Sequence, residues 1–181
     1  MRAYILEHLT VFLFIALLIA RIGDVLSTYL VTPTLKLEAN PIVRKLRWPF
    51  ALATSLVCFI PFYNTAIAIP FLVVSLMVSA SNCSKIWVAR AMGETKYYEL
   101  MKECAQRSSA LSAVLFLLSP CAFVLILGGL VLLFYPDPTH DWGFYIGVGI
   151  IAYALVLAIY VPKFFFHLRK VGSTPDPPQT N

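Results

Sequence analysis

Long apolar runs constrain this chain more than any other feature of its sequence. Several runs approach or exceed the length of about 20 residues that crosses a bilayer as a helix. They are continuous rather than alternating, which argues against a membrane β-barrel. Only 13% of the 181 residues are charged, whereas about 25% is usual in a soluble domain. The sequence therefore predicts an all-α, polytopic helical membrane protein.

Prolines and short polar stretches separate the apolar runs, and they predict five membrane-spanning helices in a single domain over residues 1–172. Two segments between the spans combine basic and apolar residues at helical spacing. They are expected either to lie as helices on the inner membrane surface or to serve as ordinary loops. The tail, 173–181, is rich in proline and polar residues and is expected to be disordered. The predicted spans are 9–31, 48–62, 66–87, 110–134 and 143–165, and the surface segments are 42–47 and 94–108.

The distribution of lysine and arginine predicts the orientation of the chain. With five spans, the first loop, the third loop and the C-terminal end share one side, and these regions hold the basic residues. The turn at 63–65 has no basic residue, and the fourth loop carries Asp137 and Asp141. Positively charged loops stay in the cytoplasm, so we expect the N-terminus outside and the C-terminus inside. If residues 48–81 formed one re-entrant element instead, this alternation would be lost.

The formal net charge of +5 indicates the kind of surface that the protein contacts. In a membrane protein, basic residues near the inner face favour contact with anionic lipids of that leaflet. We therefore expect the lipid bilayer and its anionic inner-leaflet lipids as partners, and we do not expect nucleic acid.

A stripe of small residues follows the last span, at Gly143, Gly147, Ala154 and Ala158. Small residues let helix backbones approach closely in lipid, where van der Waals contact drives association. The helix that packs against this stripe could belong to the same chain or, in a homo-oligomer, to a second copy.

Two charged residues, Arg21 and Asp24, interrupt the first apolar run. Arg21 and Asp24 are three residues apart, and Asp24 and Thr28 are four apart, so all three share one helix face. A charge at the bilayer centre costs about 2.5–3.5 kcal/mol on insertion scales. Either these side chains find partners in the protein, or the helix ends near Ala20 and the pair lies among the headgroups.

Other polar residues are expected at the same inner end of the bundle. Glu38 and Asn40 follow the first span, and Asn82 and Arg90 lie near the end of the third. Two carboxylates with nearby amides can hold a divalent cation such as Mg²⁺, and Asp24 and Glu38 are the candidate ligands. The complete candidate cluster is Arg21, Asp24, Thr28, Glu38, Asn40, Asn82 and Arg90.

The pattern Asp24-x-x-x-Thr28, followed by Glu38-x-Asn40-Pro41, resembles a signature in a family of small, uncharacterised prokaryotic polytopic membrane proteins. The pattern covers about a tenth of the chain and leaves the last two spans outside it. The resemblance implies that these five residues act together in a prokaryotic cytoplasmic membrane, but it brings no activity with it.

Three functions are consistent with the sequence. The cluster could hold helices together in a structural or accessory protein, with Asn40 and Pro41 starting a short helix. It could bind a phosphorylated lipid through a divalent cation in a membrane-embedded enzyme, although no established catalytic motif is present. As a transporter the chain would have to be oligomeric, because its spans show no inverted repeat.

Overall fold

The computed structural model of the protein describes residues 2–139 and 142–172. All regular elements in these residues are helical, as predicted. The tail at 173–181, which the sequence predicts to be disordered, lies outside the described residues. In chain order the elements are α1 (Arg2–Val31), α2 (Pro41–Ala53), a 3-10 helix (Thr54–Phe59), α3 (Ile60–Tyr63), α4 (Thr65–Met92), α5 (Glu94–Arg107), α6 (Ala110–Phe134) and α7 (Trp142–Gly172).

Five helical segments are long and apolar enough to cross a membrane: His8–Val31, Pro41–Tyr63, Thr65–Met92, Ala110–Phe134 and Trp142–Val171. Many large apolar side chains on these helices point away from the bundle. On α6, for example, Phe116 is 78% exposed and Phe123 is 72% exposed. Exposed apolar surface of this extent suits a lipid environment rather than water. The architecture is that of a multi-pass helical membrane protein.

The second span differs most from its prediction as one helix over 48–62. It begins at Pro41 and consists of α2, the 3-10 helix and α3. α2 is kinked at Arg47, whose backbone lies at φ 60° and ψ −156°. Pro49 has no N–H to donate to the carbonyl of Lys45, and the loss of this hydrogen bond favours a kink at this point.

α4 and α7 both continue past their predicted ends, at 87 and 165. The prediction followed hydropathy, but each helix carries basic residues in its last turn, Arg90 in α4 and Arg169 and Lys170 in α7. Positive side chains stabilise a helix C-terminus, so a helix can extend beyond its apolar part. α4 ends at Gly93, which has a φ of 78°.

The helices pack in pairs, with α1 against α4, α6 against α7, and α4 against α7. α4 and α7 approach closely at Gly149, where an added Cβ would lie 3.0 Å from the Cα of Pro70. α5 packs against the C-terminal part of α7, in a cluster that includes Ala105, Phe165 and Leu168.

The small-residue stripe of α7 packs within the chain. A Cβ added to Gly147 would lie 3.2 Å from the carbonyl oxygen of Gly128 on α6, and one added to Gly143 would overlap the ring of Tyr135. Ala154 is fully buried, and Ala158 is half-buried. The stripe could pack against a helix of the same chain or of a second copy. The structure shows packing within the same chain.

Candidate functional site

Arg21 and Asp24 form an ion pair in the interior of the bundle. One terminal nitrogen of Arg21 contacts the Asp24 carboxylate, and the other donates a hydrogen bond to the hydroxyl of Thr54 in the 3-10 helix. The two charged side chains are only 14% and 13% exposed. The hydrogen bond from Arg21 to Thr54 therefore links the first span to the second.

A second polar contact links the first span to the third. The amide nitrogen of Asn82 donates to the hydroxyl of Thr28 at 2.9 Å, and Thr28 also interacts with the Asp24 carboxylate. Nearby, the hydroxyl of Ser79 lies 3.4 Å from the carbonyl oxygen of Ala20. The contacts of Arg21, Asp24, Thr28, Thr54 and Asn82 form what we call the interspan network.

The interspan network connects helical segments that are long and apolar enough to cross a membrane. α1 does not end near Ala20 but continues as a helix to Val31, and whether Arg21 and Asp24 lie in the hydrocarbon or among the headgroups stays a prediction. At 1.5 Å per residue, Asp24 lies roughly 10 Å before the end of the helix. Its carboxylate, only 13% exposed, has a charged partner within the protein in Arg21.

Glu38 and Asn40 shape the loop after the first span. Asn40 caps α2 by accepting a hydrogen bond from the N–H of Ile42 at 2.9 Å, and Pro41 is the first residue of that helix. The Glu38 carboxylate accepts the N–H of Asn40 at 2.8 Å. Asn40-Pro41 is thus a helix start, which the sequence had predicted.

The surroundings of Glu38 make its carboxyl group harder to ionise. Burial raises the pKa of Glu38, and the negative charge of Asp24 raises it further, while the N–H of Asn40 and the charges of Lys85 and Arg44 oppose the shift. In the part of the chain that the structure describes, neither Lys85 nor Arg44 forms an ion pair with Glu38. Glu38 is therefore within electrostatic reach of the interspan network without bonding to it.

Glu94 is a polar contact residue that the predicted cluster does not include. Glu94 begins α5, and its carboxylate accepts hydrogen bonds from the hydroxyl of Thr32 at 2.5 Å, from the N–H and hydroxyl of Thr34 at 3.1 and 2.9 Å, and from the N–H of Lys36 at 3.2 Å. Burial alone would raise the pKa of Glu94, but these donors outweigh it and lower the pKa. Glu94 therefore ties the loop after α1 to the start of α5.

Arg90 does not join the other candidate residues. It lies exposed in the last turn of α4, and it makes no hydrogen bond or ion pair with them among the described residues. The predicted cluster thus separates into the interspan network, the loop pair Glu38 and Asn40, and Arg90 by itself.

The geometry offers little support for a cation bound by Asp24 and Glu38. No group of three or more His, Cys, Asp or Glu side chains in the described residues is placed to hold a metal ion. The Asp24 carboxylate is paired with Arg21, so its charge is already compensated, and one Glu38 oxygen accepts the N–H of Asn40. The contacts that the interspan network does make join the first span to the second, through Arg21 and Thr54, and to the third, through Thr28 and Asn82.

No protein-family model, curated protein or solved structure matches this chain.

Proposed function

We propose that this chain is a structural or accessory protein of a prokaryotic cytoplasmic membrane, with its N-terminus outside and its C-terminus in the cytoplasm. The proposed orientation follows from the lysines and arginines of the first loop, the third loop and the C-terminal end, which the five-span order puts on one side; Arg2 and Arg21 lie outside these regions. Segments 42–47 and 94–108 then lie at the inner leaflet, and the basic residues of 42–47 (Arg44, Lys45 and Arg47) face its anionic lipids.

One observation carries the structural role: the Asp24 carboxylate and both terminal nitrogens of Arg21 find their partners in the chain itself, while Nε of Arg21 is buried without a hydrogen-bond partner. Arg21 contacts both Asp24 and Thr54, and Asn82 donates to Thr28. A ligand-binding site would instead hold polar groups facing open space. Polar contacts between membrane helices fix which helices pair and at what depth, so this network suits a bundle whose task is to keep one arrangement.

A second candidate is an enzyme that acts on a phosphorylated lipid with a divalent cation, and one observation favours it. A terminal nitrogen of Arg44 is buried and has no hydrogen-bond partner. Arg44 and Lys85 both lie within electrostatic reach of Glu38. Two cations beside a carboxyl group could accept a phosphate.

The two functions are separated by neutralising each acid in turn. We expect Asp24→Asn to lower the yield of folded protein, because Arg21 loses its charged partner. Glu38→Gln is expected to fold normally. Native mass spectrometry of gently released wild type, Asp24→Asn and Glu38→Gln measures bound metal and phospholipid directly. A metal or lipid that well-folded Asp24→Asn or Glu38→Gln loses would refute the structural role and favour the enzyme.

A further inference from the structure

A cleft of about 370 Å³ opens between α1 and the first part of the second span. Leu18, Ile22 and Leu26 of α1 line one side, and Trp48 and Leu52 of α2 line the other; the lining also includes Arg21 of the interspan network and Ser55 of the 3-10 helix. Its volume lies within the range of about 300–1,000 Å³ that is usual for small-molecule sites. Because its walls belong to two membrane-crossing segments, the cleft faces lipid.

The cleft lies beside the kink of α2. The kink at Arg47 redirects the chain just before Trp48, and no residue of α2 is buried. Ile22 and Leu52, from opposite walls, remain 56% and 58% exposed. Away from the contact between Tyr29 and Trp48, the two walls therefore remain open to their surroundings.

The length of the cleft matches one leaflet of a bilayer. Its lining on α1 extends from Leu18 to Tyr29, a rise of roughly 16 Å at 1.5 Å per residue. The hydrocarbon core of a bilayer is about 30 Å thick, so the cleft spans about half of it. An acyl chain that enters from the interface would fill it from end to end.

One end of the cleft has the features of a membrane interface. The rings of Tyr29 and Trp48 meet at 5.7 Å, and the indole N–H of Trp48 donates to the carbonyl oxygen of Pro33 at 2.9 Å. Such aromatic residues mark the headgroup level. Lys45 and Arg47 are exposed and lie within three residues of Trp48 in the chain, so they are the positive charges nearest in sequence to this end of the cleft.

From this geometry we propose that the cleft binds one anionic phospholipid, with an acyl chain between α1 and α2 and the phosphate beside Lys45 and Arg47. The lipid completes the side of the bundle that α2 leaves open. The inference rests on the proposed function only for the choice of leaflet, since the proposed orientation puts this end in the cytoplasmic leaflet.

The test is native mass spectrometry of the full chain in mild detergent, with added phosphatidylglycerol or phosphatidylcholine of identical acyl chains. Ile22→Trp fills the cleft, and Ile19→Trp is its matched control, because Ile19 is an exposed residue of the same helix that does not line the cleft. We expect Ile22→Trp to weaken retention of phosphatidylglycerol by about tenfold, as when contact equivalent to about two methylene groups is lost. Ile19→Trp should retain it like the wild type.

Two further variants complete the design. Lys45→Gln with Arg47→Gln should remove the preference for phosphatidylglycerol over phosphatidylcholine, and Leu52→Trp repeats the filling from the opposite wall in case Ile22→Trp does not fold. Unchanged retention in a folded filling variant would overturn the proposal, as would equal retention of both lipids by the wild type. Neither result depends on Asp24 or Glu38, so failure here is distinguishable from failure of the structural role.

Discussion

The two sides of this bundle hold their helices together in different ways. α1 and α4 are joined by polar contacts, including the hydrogen bond from Asn82 to Thr28, and the ion pair of Arg21 and Asp24 lies beside them. α6 and α7 are joined by close backbone approach, with a Cβ on Gly128 placed 3.2 Å from the carbonyl oxygen of Gly147.

The difference shows two solutions to one problem. Between helices in lipid there is no hydrophobic driving force, so association depends on van der Waals contact or on hydrogen bonds. Close packing at glycine requires only that the surfaces of the two helices fit together. A buried charge demands a particular partner at a particular depth, so the polar side fixes register more strictly.

Removing one charge of the pair should have the largest effect. Asp24→Leu leaves the Arg21 guanidinium buried without its counter-charge, and breaking a buried pair in this way costs about 3–5 kcal/mol. The double variant Arg21→Leu with Asp24→Leu should recover most of that loss, because no charge stays unpaired. Unfolding in mixed detergent micelles measures both. If the double variant is no more stable than Asp24→Leu, the pair is not what holds α1 in place.

Filling the glycine contact should come next. A Cβ at Gly128 would lie 2.7 Å from the Cγ1 of Ile151 and 3.2 Å from the Gly147 carbonyl, whereas one at Gly129 meets nothing within 4 Å. We expect Gly128→Ala to destabilise the protein by about 2 kcal/mol through overpacking. Gly129→Ala should stabilise it slightly through helix propensity. Similar unfolding curves for the two variants would mean that α6 and α7 do not depend on this contact.

The sequence was informative wherever a feature depends on nearby residues. The predicted fourth span has the bounds of α6, and Asn40-Pro41 starts a helix as expected. The shared face of Arg21, Asp24 and Thr28 follows from helical spacing alone. Each of these features is decided within a few turns of one helix, where periodicity and capping chemistry are visible in the residue order.

Contacts between residues that are far apart in the chain could not be predicted from the sequence. Thr54 meets Arg21 because the second span turns from α-helix to 3-10 helix at that residue, a change that hydropathy does not encode. Glu94 was missed because its partners, Thr32 and Thr34, lie far away in the chain. Arg90 was wrongly grouped with the others because being near a helix end says nothing about where a side chain points.

Beside the C-terminal end of α1, two acids should respond to pH in opposite directions. Because the pKa of Glu94 is lowered, its stabilising contribution is present above the ordinary value of 4.5 and disappears as the pH falls through the folded-state pKa. Glu94→Gln should cost about 1 kcal/mol at neutral pH, allowing for solvent screening of a partly exposed group. This cost should vanish in acid.

Glu38 provides the contrast, because its pKa is raised. Its ionisation opposes folding as the pH rises above the ordinary value of 4.5, so Glu38→Gln should gain stability relative to wild type over that range. Thermal unfolding of both variants across pH measures the two slopes. Slopes of the same sign for Glu94→Gln and Glu38→Gln would contradict the different surroundings of these carboxylates.

The smallest effect should come from the neutral hydrogen bond between α1 and α4. Asn82→Leu removes the donor to Thr28, and Thr28→Val removes the acceptor while keeping the shape of the side chain. Interhelical hydrogen bonds of this kind contribute about 0.6 kcal/mol on average. A double-mutant cycle on these two positions isolates the contribution. A coupling energy as large as that between Arg21 and Asp24 would mean that register on the polar side depends on the whole network rather than on its charges.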